Sequence, residues 1–219
     1  MKHILLIESY KSSHTIDFYN YITTSCDFKV TLCCYNYKDL KNELNNCTSY
    51  DCLIVCGDAP PHPSPSPPPH DDDDDDGIED DDNMSSSFEY EELSKIFKMF
   101  TDKPILCCEY GCVLLGKYYR CETCKCEIYR NQTKHHLIID NRFKINKNII
   151  KSNNLIVTFN TKKNIEIPDD SSVDIITFSA KSPFEPCGYK FTRNHYGFIF
   201  TIINSDYGQT ILNNFLHHI

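Results

Sequence analysis

The first 56 residues alternate between short apolar runs and longer stretches that carry apolar side chains at helical spacing. The runs HILLI (3–7), FKVTLCCY (28–35) and YDCLIVC (50–56) have the length and composition of buried strands. Residues 14–25 and 38–46, between those runs, indicate amphipathic helices. Strands that alternate with helices predict a parallel sheet with helices on both faces.

The alternation resumes at residue 88, after an interruption. Residues 88–100 indicate an amphipathic helix, and the strand ILCC (105–108) then runs into another helix near Gly111. The pattern as a whole predicts an α/β domain with a central mixed sheet that is mostly parallel. Further strands and a closing helix are predicted at KHHLIID (134–140), NLIVTFN (154–160), VDIITFSA (173–180), YGFIFTII (196–203) and 208–218.

Residues 59–87 form the interruption, which is Pro-rich, then acidic, then Ser-rich. Seven of the 11 prolines lie in 60–69, and the run 71–82 holds nine Asp and one Glu. Such a segment buries too little apolar surface to offset its ordering entropy. We therefore predict one domain over 1–219, interrupted by a disordered insert at 59–87.

The acidic balance of the chain arises from this insert. The chain has 22 basic and 31 acidic residues, a formal net charge of −9, and without the ten acids of 71–82 there remain 21 acidic residues against 22 basic ones. A near-neutral body without a cationic cluster disfavours a nucleic-acid partner. No apolar run approaches the length of a membrane helix, and ILLI (4–7) is too short for the core of a signal peptide.

Cysteine is unusually frequent, with 13 residues. An odd number of cysteines, scattered through apolar segments and without a signal peptide, predicts reduced thiols in a cytoplasmic protein. Most of these thiols are expected to act as small core residues.

Four segments resemble class I glutamine amidotransferases in order and spacing. The segment KPILCCEYGCVLLG (103–116) resembles the nucleophile elbow of that family, a strand that turns sharply into a helix. The other three are the opening strand and helix at 4–22, the third strand and oxyanion loop at 50–60, and the closing segment at 196–216. The resemblance is greatest to the amidotransferase subunits of anthranilate synthase and aminodeoxychorismate synthase, with the GMP synthase domain as a near relative. It implies a three-layer, flavodoxin-like domain.

The resemblance also identifies the positions of the catalytic Cys-His-Glu triad, and all three are replaced. The nucleophile position holds Glu109, the histidine position Thr201 and the orienting glutamate position Ile203. The backbone groups that would surround the oxyanion belong to Gly57, Asp58 and Tyr110, and Pro60 in the same loop has no N–H to donate.

A carboxylate is a poor nucleophile toward an amide, and it would repel the oxyanion that develops during hydrolysis. The start of a helix should instead hold Glu109 as an N-terminal anchor. We therefore predict a pseudoenzyme with no cofactor and without productive glutamine binding. The resemblance implies a synthase-type partner, for which the chain would be a partner-binding or regulatory subunit.

The alternative is an active amide hydrolase with a relocated nucleophile. Cys108 precedes the elbow position, Cys112 lies one helical turn later, and His195 lies six residues before Thr201. A Cys–His pair made from these residues would supply ammonia for anthranilate or aminodeoxychorismate synthesis. A shift of one residue along a strand turns the side chain to the other face, which argues against this pair.

A second cysteine pattern lies after the elbow helix. Cys121, Cys124 and Cys126, with His135 nine residues later, have the ligand types of a tetrahedral zinc site. The second half of the motif is irregular, and loop thiols in a Cys-rich chain are the simpler interpretation. We therefore predict no metal ion.

Overall fold

The computed structural model describes ten ranges of the chain, and the statements below concern those residues. The ranges are 1–9, 13–25, 28–34, 37–57, 85–126, 135–147, 156–159, 163–180, 185–203 and 206–217.

Eleven strands and five α-helices follow one another along the described ranges. In chain order they are β1 (Lys2–Glu8), α1 (Ser13–Ser25), β2 (Phe28–Cys34), α2 (Tyr37–Leu44), β3 (Cys52–Cys56), α3 (Ser85–Met99), β4 (Ile105–Cys108), α4 (Tyr110–Tyr118), β5 (Glu122–Lys125), β6 (His135–Ile139), β7 (Ile156–Val157), β8 (Lys163–Glu166), β9 (Asp174–Ser179), β10 (Pro186–Lys190), β11 (His195–Phe198) and α5 (Asp206–His217).

Nine of these strands form one mixed sheet in the order β2-β1-β3-β4-β11-β10-β9-β6-β7. The first five run parallel, and the pairings from β11 onward are antiparallel. The remaining two, β5 and β8, form a separate antiparallel pair. The α/β fold predicted from the apolar runs, a large and mostly parallel central sheet, is confirmed.

Two groups of helices flank the sheet. The first group consists of α1 and α5, which are linked by a hydrogen bond from the Tyr21 hydroxyl to Asn213 Oδ1 at 3.2 Å. In the second, α3 contacts both α2 and α4. None of the helices in the described ranges is long and apolar enough to cross a membrane.

The centre of the sheet is apolar throughout. Every residue of β3 and β4 is buried, as are Ile4 to Ile7 of β1, because strands covered on both faces carry apolar side chains at successive positions. Ten of the 12 described cysteines are buried, which confirms that they are core residues.

Several predicted boundaries are wrong. The run 196–203 was expected to be one strand, but β11 ends at Phe198, because its partner β4 ends opposite it at Cys108. In the run 154–160 the structure describes residues 156–159, and among these the strand β7 ends at Val157. The helix α3 begins at Ser85, inside the predicted insert, whose residues 59–84 lie outside the described ranges.

Candidate functional site

A sharp strand-to-helix turn at Glu109 forms the predicted elbow. The strand β4 ends at Cys108 and α4 begins at Tyr110, so one residue makes the turn. Glu109 has φ 57° and ψ −128°, a conformation that costs a non-glycine residue backbone strain. Its N–H donates to the carbonyl of Phe198 at 2.7 Å, which ties the elbow to the end of β11.

The Glu109 side chain is fully buried and is held at both carboxyl oxygens. Oε1 accepts a hydrogen bond from the Thr201 hydroxyl at 2.5 Å, and Oε2 accepts one from the Gly57 N–H at 3.2 Å. A buried carboxyl group is costly unless its oxygens have donors. The fold therefore brings the predicted nucleophile, base and oxyanion-loop positions together, but as a hydrogen-bonded network of the protein's own groups.

The backbone N–H groups of Gly57 and Tyr110, near the elbow, already donate hydrogen bonds within the protein. The Gly57 N–H binds the Glu109 carboxyl, and the Tyr110 N–H donates to the Gly57 carbonyl at 3.2 Å. Gly57 has φ 128°, which a side chain would oppose. The third residue predicted for this loop, Asp58, lies outside the described ranges.

The expectation that Glu109 caps α4 is wrong. Glu109 occupies the N-cap position, but its side chain makes no capping hydrogen bond to the helix. Its two partners instead come from 52 and 92 residues away in the chain. Sequence reasoning named Glu109, Thr201 and Gly57 separately, but nothing local in the sequence indicates that they bond to one another.

Ile203 lies in the segment that leads from β11 toward α5. Its side chain is 4% exposed, and its carbonyl accepts a hydrogen bond from Gln209 Nε2 at 3.4 Å. An isoleucine has no atom that could orient a base, so Ile203, which was predicted for the third triad position, contributes packing.

The two candidate thiols are buried in the core. Cys108 and Cys112 are each 0% exposed, and burial raises the pKa of both thiols well above the usual value. Cys112 packs against β11, since its Sγ would lie 2.6 Å from a Cβ added at Gly197. Neither thiol has the electropositive, accessible setting that produces a reactive thiolate.

His195 lies at the other end of the strands from the elbow. It pairs with Ile105, whereas Cys108 pairs with Phe198, a separation of about 10 Å along the strand. Its Nδ1 lies 2.5 Å from the Tyr119 hydroxyl and its Nε2 3.0 Å from the Lys103 carbonyl, and burial lowers its pKa. This is a neutral core histidine with both ring nitrogens bonded, so the fold does not bring Cys108 and His195 together.

Burial of the thiols predicts their order of alkylation. In native protein at pH 8, Cys108 and Cys112 should react with iodoacetamide on the order of a hundredfold more slowly than the exposed Cys34. Only a small fraction of these two buried thiols is deprotonated, and the reagent reaches them only when the surrounding structure opens locally. Pulse labelling followed by peptide mass spectrometry measures the rates. Labelling in urea is the control, and equal native rates would contradict the buried placement.

The three cysteines of the candidate zinc set form no metal site with the other side chains that the structure describes. Cys121 and Cys126 are buried and flank the strand β5, while Cys124 is half-buried on it. Among the residues with described side chains, no group of three or more His, Cys, Asp or Glu could hold a metal ion. His135 is the first residue of β6, and its side chain is outside the description.

The sheet order, the flanking helices and the turn at Glu109 define a class I glutamine amidotransferase fold of the flavodoxin-like type. No protein-family model matches the chain, and no curated protein sequence matches it significantly.

Solved structures share this fold across most of the chain. One is a provisionally assigned component of GMP synthase from Thermoplasma acidophilum, with 17% identity, a TM-score of 0.69, and coverage of 99% of this chain and 93% of that one. Another is a glutamine amidotransferase from Thermotoga maritima, with 12% identity, a TM-score of 0.65, and coverage of 99% and 81%. A third, from Methylobacillus flagellatus, has 14% identity, a TM-score of 0.57, and coverage of 92% and 70%.

Proposed function

We propose that this chain is a glutamine amidotransferase-like protein that has lost glutamine hydrolysis and serves as a partner-binding or regulatory subunit of a synthase. The observation that carries the proposal is the buried carboxyl of Glu109 at the elbow, bonded to Thr201 and Gly57.

The chemistry of amide hydrolysis supports the loss of activity. The reaction needs a strong nucleophile, a base that accepts its proton, and N–H donors aimed at the developing oxyanion. At this elbow the nucleophile position is a carboxyl, and the Thr201 hydroxyl is a poor base. The nearby Gly57 N–H already has an acceptor, so glutamine would have to displace Glu109 to use it.

The role of a synthase subunit is supported by the fold and by one of its neighbours. The Thermoplasma protein is named as one of the subunits of GMP synthase, and it matches nearly the whole of this chain. A family fold that the described residues retain around the replaced catalytic positions favours a function in binding. The partner would be a synthase of the anthranilate, aminodeoxychorismate or GMP type, in the cytoplasm that the thiol-rich sequence favours.

A glutaminase assay tests the catalytic half of the proposal. Purified protein should release no more ammonia from glutamine than buffer does, alone or with its captured partner, and Cys108→Ser and Cys112→Ser variants should behave identically. An active class I glutamine amidotransferase assayed in parallel is the positive control. Ammonia release that disappears in either serine variant would overturn the pseudoenzyme proposal in favour of the Cys-dependent hydrolase.

Affinity capture tests the partner half independently. The full-length chain, expressed in the cells it comes from, should copurify with a synthase-type polypeptide in a complex that survives size-exclusion chromatography. A protein that elutes as a monomer with no synthase would refute the subunit role, whatever the glutaminase assay finds.

A further inference from the structure

A cavity of about 320 Å³ lies at the end of the sheet opposite to the elbow. Pro104 and Asn194, which border it, come just before β4 and β11, the two strands whose other ends carry Glu109 and Thr201. Its volume falls in the range of pockets that hold small organic ligands. The lining residues are Pro104, Arg142, Phe143, Lys144, Lys190, Arg193, Asn194, Tyr196 and Phe215.

The lining of this cavity has four cationic side chains, two of which are held by carboxylates. Arg142 Nη2 lies 2.5 Å from Asp140 Oδ2, and that contact lowers the pKa of Asp140. Lys190 Nζ lies 2.9 Å from Asp174 Oδ2.

The other two cations, Lys144 and Arg193, form no ion pair with any residue in the described ranges. Lys144 begins a short 3-10 helix after β6, and Arg193 lies between β10 and β11. The rim of the cavity therefore carries two positive charges beyond those that its carboxylates balance. Such a concave surface attracts a small anion with two negative charges.

Aromatic rings form the remaining walls. Lys190 Nζ is 5.3 Å from the centre of the Phe143 ring, which holds that ring at the rim. The Tyr196 hydroxyl donates to the Arg193 carbonyl at 3.1 Å, which fixes this ring beside the loop that carries Arg193. Phe215, which is 2% exposed, closes the cavity from α5. These walls favour a ligand with a flat apolar part next to its charge.

We infer that this cavity binds a small aromatic phosphate monoester, with the phosphate between Lys144 and Arg193 and the ring against Phe143 and Tyr196. A phosphate monoester carries close to two negative charges at neutral pH, and a guanidinium donates to it in the paired geometry that arginine favours. The site is independent of the elbow, so it does not depend on whether the chain hydrolyses glutamine.

Isothermal titration calorimetry with phenyl phosphate on the full chain tests this inference. Phenyl phosphate should bind saturably, and about tenfold more tightly than inorganic phosphate or benzyl alcohol, each of which lacks one half of the ligand. The double variant Lys144→Gln/Arg193→Gln should weaken binding by at least about tenfold, because it removes both charge-assisted contacts. The variant Lys29→Gln is the matched control, because Lys29 is an exposed lysine on the edge strand β2, four strands away from β11. Its affinity should stay at the wild-type value.

Three results would overturn the site. They are the absence of saturable binding of phenyl phosphate, equal weakening in Lys29→Gln, and benzyl alcohol binding as tightly as the phosphate ester. If inorganic phosphate binds as tightly as phenyl phosphate, the ring contributes nothing to affinity, and the assignment of an aromatic ligand is wrong. If a single-stranded RNA displaces phenyl phosphate at an RNA concentration below that of phenyl phosphate, the cavity is part of a nucleic-acid-binding surface and the assignment to a small ligand is wrong. Circular dichroism of each variant establishes that a weakened variant is still folded.

Discussion

Replacing Gly208 with alanine should destabilise the protein by more than about 3 kcal/mol. A Cβ added at Gly208 would lie 1.6 Å from the carbonyl oxygen and 2.2 Å from the carbonyl carbon of Ile202. Both atoms belong to the backbone, so no side-chain rotation relieves the overlap. The start of α5 would have to move away from the segment that carries Thr201 and Ile203, and that movement would also disturb the elbow network.

Urea denaturation followed by circular dichroism measures the decrease in the free energy of unfolding that Gly208→Ala causes. The matched control is Gln209→Ala, at the next position of α5, which removes only a 3.4 Å hydrogen bond to the Ile203 carbonyl. That variant should stay within about 1 kcal/mol of the wild type, since alanine also favours the helix. A Gly208→Ala protein as stable as this control would show that α5 does not need its close approach to Ile202.

The centre of the fold could be predicted from the sequence because its strands are apolar at every position. β3 (CLIVC) and β4 (ILCC) are buried on both faces, and such runs stand out against amphipathic helices. The strands β5 (ETCK), β8 (KNIE) and β10 (PCGYK) gave no comparable signal, since polar residues, Gly or Pro interrupt them. They become strands because a partner strand supplies their hydrogen bonds.

The candidate site could be predicted only in part, for a related reason. The turn at Glu109 follows from a local pattern, a short strand running directly into a helix. The bonds from Glu109 to Gly57 and Thr201 depend on how β3, β4 and β11 are ordered in the sheet, which no local pattern encodes. The cationic cavity could not be predicted for the same reason, because its lining comes from four separate segments of the chain.

The hydrogen bond between Thr201 and Glu109 should contribute more to the free energy of unfolding than an ordinary buried hydrogen bond from a hydroxyl group. Thr201→Val keeps the shape of the side chain and removes the donor to Oε1 of a fully buried carboxyl group. Hydrogen bonds to charged or strongly polar buried groups contribute more than bonds between neutral groups, so we expect a loss of about 2 kcal/mol in the free energy of unfolding. Chemical denaturation with wild type and variant under identical conditions measures this loss.

The chain offers a close control for that substitution in Thr177→Val. Thr177 is also fully buried, but its hydroxyl is 3.2 Å from the neutral Tyr207 hydroxyl, so the same change should cost only about 1 kcal/mol. If Thr201→Val costs no more than Thr177→Val, the elbow network contributes nothing special to stability. A larger cost for Thr201→Val, reduced when Glu109→Gln is added, would show that the two residues are energetically coupled. Coupling of this kind would show that the bond between the elbow residue Glu109 and the segment after β11 is a structural contact that stabilises the fold.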